Sequence, residues 1–150
     1  MNLSKAVKTI RLKPDGSTYA VAAGAADITS DEVDTAGFDA VRFIQGFGAI
    51  TTGAVTSFKA QQDTVTGMAT AADIAGSSIT VTDAHDNKVA IIDIIRPQER
   101  FLRVKTLRAT QNSVVDFLIA ELYQARSEPI TDDASVLSVE VSLSPAEGTA

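Results

Sequence analysis

The sequence predicts an all-β protein, a single-domain antiparallel β-sandwich of jelly-roll type with extended N- and C-terminal arms. Three observations carry this. Short apolar runs rich in Val, Ile, Thr and Phe recur along the chain. Turns built from Pro, Gly, Asp and Asn separate them, and no convincing long stretch keeps the period of an amphipathic helix. Seven or so short strands spaced in this way point to a sandwich or jelly roll. The expected organisation is a basic arm at 1–13, a body at 14–129 and a C-terminal arm with one strand at 130–150.

Residues 1–13 carry Val7, Ile10 and Leu12 at spacings that fit neither period, so they read as an extended or weakly helical arm. Pro14-Asp15-Gly16-Ser17 is a turn, because Pro presets φ and Gly permits positive φ. Residues 18–26 are small and apolar, a candidate first strand, and 27–39 form an acidic loop ending near Gly37. The stretch 33–62 reads as two apolar strands, 38–50 and 54–62, joined as a hairpin by Thr51-Thr52-Gly53. In the second, Phe58 and Ala60 face one way and Ser57, Lys59 and Gln61 the other.

Residues 68–74 fit a short strand or a helical turn, and 78–82 a β-branched strand. Asp83 to Asn87 is a polar loop. Residues 88–96, KVAIIDIIR, are nearly continuously apolar, as in a strand covered on both faces. Residues 101–108 alternate, with Leu102 and Val104 inward and Arg103 and Lys105 on a basic outer face. Residues 113–124 fit strand or helix. The pair Val114-Val115 and the period of Val115, Phe117 and Ile119 favour strand, and no capping box supports a helix. Beyond Pro129, Leu137, Val139, Val141 and Leu143 alternate strictly with Ser138, Glu140, Ser142 and Ser144. Such a strand pairs with its own sheet or adds to a neighbour's.

A chain of 150 residues with 45% hydrophobic and 21% charged residues is one globular domain by size and composition. It has no cysteine, which excludes disulfides, zinc–thiolate sites and thiol catalysis. Its one histidine, His85, excludes any site that needs two. No apolar run approaches the roughly 18 residues of a membrane span. The first residues lack the apolar core of a secretory signal, so the expectation is a protein made in the cytoplasm without signal-peptide export.

The net charge is −6, yet Lys5, Lys8, Arg11 and Lys13 give the first 13 residues +4; the other 137 therefore carry −10, the difference between the two. An acidic body opposes binding to phosphate backbones, so nucleic acid is not an expected partner. A basic arm on such a body suits an acidic protein surface.

Candidate chemistry is sparse. Gly46-Phe47-Gly48 lacks the third glycine of a dinucleotide fingerprint, and reads as glycines where a strand bends or another backbone approaches closely. Asp83, His85 and Asp86 lie in one loop and read as a polar turn before a metal site. Asp27, Asp31, Glu32, Asp34 and Asp39 do not follow EF-hand spacing and read as a solvated acidic loop. Asp93 and Asp116 interrupt apolar strands and are expected to point outward or to pair with Arg103, Lys105 or Arg108. No nucleophile elbow is present, so catalysis is not expected.

Several motifs resemble small virion structural proteins encoded in the head gene clusters of tailed bacteriophages. They are Asp34-Thr35, Gly37-Phe38, Gly48-Ala49-Ile50-Thr51 with Gly53, Phe58 to Gln62, Arg100-Phe101-Leu102-Arg103-Val104 and the last apolar strand to Arg126, spread over roughly 33–129. Two features depart from the pattern. Met68 stands where the family often has Trp, and the chain adds the alternating segment 136–144.

The resemblance implies a capsid decoration (cement) protein on the outer head surface of the virion, without catalytic, cofactor or metal residues. It would bridge major capsid protein subunits and act as a homo-oligomer, a trimer being favoured, with no membrane partner. The expected contacts are the basic arm (Lys5, Lys8, Arg11, Lys13), the basic strand face (Arg103, Lys105) and the strand Leu137, Val139, Val141 and Leu143. A neck, tail or fibre component is the alternative. A carbohydrate-binding module ranks lower, since such modules stack sugars on exposed Trp or Tyr and the chain has no Trp.

Overall fold

The computed structural model describes residues 2–142 and residue 148. A single helical turn, α1 (Leu3–Ala6), precedes eleven strands: β1 (Lys8–Leu12), β2 (Val21–Gly24), β3 (Ile28–Thr29), β4 (Val33–Asp34), β5 (Phe38–Ile50), β6 (Val55–Asp63), β7 (Ala72–Asp73), β8 (Ile79–Val81), β9 (Val89–Ile95), β10 (Phe101–Ala109) and β11 (Ser113–Ala125). A 3₁₀ turn, Asp83–His85, links β8 to β9.

Two antiparallel sheets pack face to face. One runs β1-β11-β5-β9, with β2 also on β11; the other runs β3-β10-β6-β7, with β4 on β10 and β8 on β6. Taking β1 with β2, β3 with β4 and β7 with β8 as interrupted strands leaves eight, ordered 1-8-3-6 and 2-7-4-5. That is the jelly-roll arrangement, and the expected all-β sandwich is present.

Four expectations need correction. First, 38–50 and 54–62 are strands but not a hairpin. β5 lies between β11 and β9, and β6 lies in the other sheet beside β10. The turn at Thr51-Thr52-Gly53, with Gly53 at φ +83°, carries the chain across the core rather than back along the same sheet. Phe47 and Phe58 thus meet edge to face from opposite sheets, ring centres 6.5 Å apart.

Second, residues 8–12 are not a free arm. β1 pairs with β11 from Lys8↔Leu122 to Leu12↔Leu118, because Ile10 and Leu12 have a core to join. Third, β11 does not keep one phase. Its register on β5 shifts between Val115 and Phe117, a bulge that turns Val115, Leu118, Ala120 and Leu122 inward. Phe117 and Ile119 therefore face outward. Fourth, β9 is an edge strand with one face open: Ala90 and Ile92 are buried, but Val89, Ile91 and Ile95 are 52%, 48% and 59% exposed.

The alternation of β6 and β10 is as expected, with Thr56, Phe58 and Ala60 on the same inward face as Leu102, Val104 and Thr106. Arg108 continues the inward face of β10. Its guanidinium donates to the carbonyls of Ala22, Ala26 and Ser113 at 2.7–3.0 Å and pins β2 to the body.

Candidate interaction surface

Both ends of the described chain meet at the β1 edge of the first sheet. Asn2 caps α1, its side-chain oxygen accepting from the Ser4 N–H at 3.1 Å. The Ile130 N–H donates to the Lys5 carbonyl at 3.1 Å, and the Arg11 N–H donates to Ser135 Oγ at 2.9 Å. Asp133 accepts from the N–H and hydroxyl of Ser135 and lies 3.8 Å from Lys8 Nζ. These hydrogen bonds hold its carboxyl below the usual range against the opposing effect of burial. Residues 130–135 thus occupy the outer side of β1.

From there the chain turns onto the outer face. Val136 and Val139 line a hollow of about 340 Å³ with Leu3, Val7, Arg42 and Glu121. A second hollow, of about 510 Å³, adjoins it over Arg42, Asp93 and Tyr123. Arg42 bridges to Glu121 at 2.7 Å, and the Tyr123 hydroxyl donates to Asp93 at 2.7 Å. Burial and that carboxylate push the Tyr123 phenol up to about 12. Apolar side chains stand beside the Arg42–Glu121 pair: Leu3, 61% exposed, lines the same hollow as Val7, Val136 and Val139. Further along the chain Val141 is 53% exposed and Leu137 fully exposed. Leu3 and the outward β9 residues were not singled out in the sequence. Asp93 in the middle of an apolar run was the available signal, since a strand covered on both faces has no place for a carboxylate.

The structure does not gather the basic residues into one patch. Lys8 faces Asp133, and Arg11 and Lys13 both lie over the Tyr19 ring, at 4.8 and 5.7 Å from its centre. Lys5 projects from α1, exposed. Arg103 and Lys105 lie on the other sheet and are engaged within the chain. Arg103 Nε donates to Gln61 at 2.9 Å, and Lys105 lies 3.6 Å from Asp27. Residues 137–142 form no strand within the chain, and Leu143 lies outside the described residues.

The acidic residues are spread over separate partners. Asp34 pairs with Arg100 at 2.7 Å, Asp39 with Arg126 at 2.6 Å, and Glu32 accepts from Thr66 and Gly67. His85 accepts from the Thr82 N–H, and Asp86 accepts from the Ile50 N–H at 2.7 Å. Asp93 and Asp116 are exposed, as expected, and the alternative partners Arg103, Lys105 and Arg108 are in the opposite sheet. Gly46 and Gly48 face side chains rather than backbone. A Cβ on Gly46 would stand 2.3 Å from the Phe117 ring, and one on Gly48 2.8 Å from Asp116.

No protein-family model matches this chain, and a search of curated proteins finds no match.

Proposed function

We propose that the protein is a non-enzymatic virion component, a capsid decoration protein that binds the outer surface of a tailed-phage head and bridges major capsid protein subunits. The resemblance across 33–129 supports the setting. The observation that carries the mechanism is the meeting of the two ends of the described chain at one edge of the sandwich, where the exposed Leu3 lines a hollow with Val7, Arg42 and Glu121. A body stiffened by two packed sheets, with apolar contact groups at one edge, suits adhesion. It orders few residues on binding, so less of the contact energy is lost to entropy. Several such contacts in an oligomer make release slow even when each is weak.

Within this reading Lys5, Arg11 and Lys13 meet acidic capsid surface. Lys8 is left out because Asp133 engages it. Removing residues 1–13 would delete β1 from the sheet, so point substitutions are the sound test. Purified heads lacking the protein are mixed with wild type or with the Lys5→Ala, Arg11→Ala, Lys13→Ala variant and sedimented. The expected result is binding at least tenfold weaker for the variant at low salt, with a smaller difference at high salt. Equal binding of the two proteins at both salt concentrations would remove the basic residues from the contact.

A further inference from the structure

β9 is the end strand of its sheet, and among the described residues it pairs only with β5. The ladder includes Phe47 N–H to the Lys88 carbonyl at 2.9 Å and Arg96 N–H to the Asp39 carbonyl at 2.7 Å. Antiparallel alternation therefore turns the backbone groups of Val89, Ile91, Asp93 and Ile95 to the open side. The strand has seven residues, an unbroken register from 89 to 95, and no Pro or Lys to blunt it. Edges of this kind are usually covered.

Beside this edge the sandwich is open. Two adjoining depressions, of about 260 and 300 Å³, run between β9 and the β7–β8 side of the other sheet. Ile74, Ile79, Val81, Ile92 and Ile94 contribute to their walls. An edge with free backbone groups next to a groove walled in part by apolar side chains accepts an added strand whose alternate side chains enter the groove.

Among the described residues, one segment of that description has no partner strand, 136–142, in which Leu137, Val139 and Val141 alternate with Ser138, Glu140 and Ser142. It cannot serve its own β9. Ser135 is fixed outside β1, and β1, β11, β5 and β9 separate that position from the far edge. Five strand spacings of about 4.8 Å make roughly 24 Å, which consumes about seven residues at 3.3 Å each. Residues 136–142 would be spent in the crossing.

We propose that residues 136–142 of one copy add as a strand to the free edge of β9 in a second copy, with Leu137, Val139 and Val141 filling the groove. Each copy then gives a strand at one edge and receives one at the other. The contact is head to tail, and closes into a ring where the rotation allows. The inference concerns self-association alone, so it stands or falls without reference to any capsid.

The test uses three full-length proteins in analytical ultracentrifugation. One is wild type. The second, Leu137→Asp with Val139→Asp and Val141→Asp, loses the donor. The third, Ile91→Pro, blocks the acceptor while removing an N–H that faces away from β5. The expected result is an oligomeric wild type, two monomeric variants, and association on mixing the variants, since one keeps the edge and the other the tail. A chain carrying Ile91→Cys and Val139→Cys, with no other cysteine, provides a second readout that does not require the proline variant to fold. A short bis-maleimide is expected to join these cysteines between chains. A monomeric wild type, an oligomer that survives the donor variant, or cross-linking confined within single chains would each overturn the proposal.

Discussion

Gln45 of β5 and Thr106 of β10 hold each other across the interior, one from each sheet. Gln45 Nε2 donates to Thr106 Oγ1 at 2.9 Å, the hydroxyl lies 3.2 Å from Gln45 Oε1, and both residues are buried. The pair fixes how the two sheets stand against each other, because neither polar group has water to fall back on. Replacing Gln45 by Leu leaves Thr106 unpaired and is expected to cost about 1–3 kcal/mol. Thr106→Val should cost a similar amount, and the double variant clearly less than the two together. Urea unfolding of the four proteins measures the cycle, and strict additivity would show that the contact contributes nothing.

Arg108 stands where the alternation of β10 calls for an apolar residue. Its guanidinium is the donor for three carbonyls, one in β2, one in the loop just after it and one at the start of β11. Arg108→Met keeps most of the stem packing and removes those donors, with an expected loss of about 1.5–3 kcal/mol. The amides of 21–26 should also lose hydrogen-exchange protection before the rest of the sheet does.

Gly46 is required by a side chain rather than by backbone geometry. Phe117, turned outward by the β11 bulge, lies where a Cβ would go. Gly46→Ala is expected to cost about 1–3 kcal/mol by overpacking. Adding Phe117→Ala should recover part of that loss, which thermal denaturation of the single and double variants will show.

The loop after β6 depends on pH through Asp63. Its carboxylate accepts from the Val65 N–H at 3.1 Å and the Thr70 N–H at 2.9 Å, and these bonds with the Thr70 hydroxyl hold its pKa below the ordinary value. A depressed carboxylate pKa stabilises the fold above the unfolded value and loses that contribution as pH falls through the folded one. The Arg100 guanidinium depresses Asp34 in the same sense, as the Lys59 ammonium does Asp73. Stability is therefore expected to be level near neutrality and to fall below about pH 4. In hydrogen exchange, 64–71 should open early in that window, and Asp63→Asn should open the same loop already at pH 7.

Where burial followed strict alternation, the sequence was readable. β6 and β10 show it, since Phe58, Ala60, Leu102 and Val104 are inward as their spacing requires. The rest depended on relations that local pattern does not encode. The turn at 51–53 looks the same whether the next strand returns to its own sheet or crosses to the other. The β11 bulge changes which of Phe117 and Leu118 is buried without a mark in the composition. The apolar run of β9 suggested cover on both faces, and only Asp93 argued against it. The basic residues near the start have different partners, Lys8 the distant Asp133 and Arg11 the Tyr19 ring just past the following turn, and their pattern alone does not name either.

The most direct test of the proposed function is whether, and where, the protein sits on purified tailed-phage particles, seen by cryo-electron microscopy. The account predicts density of the β-sandwich on the outside of the capsid shell, seated between major capsid protein subunits with the β1 edge toward the shell. Density confined to the neck, tail or fibres, with a bare shell, would contradict it.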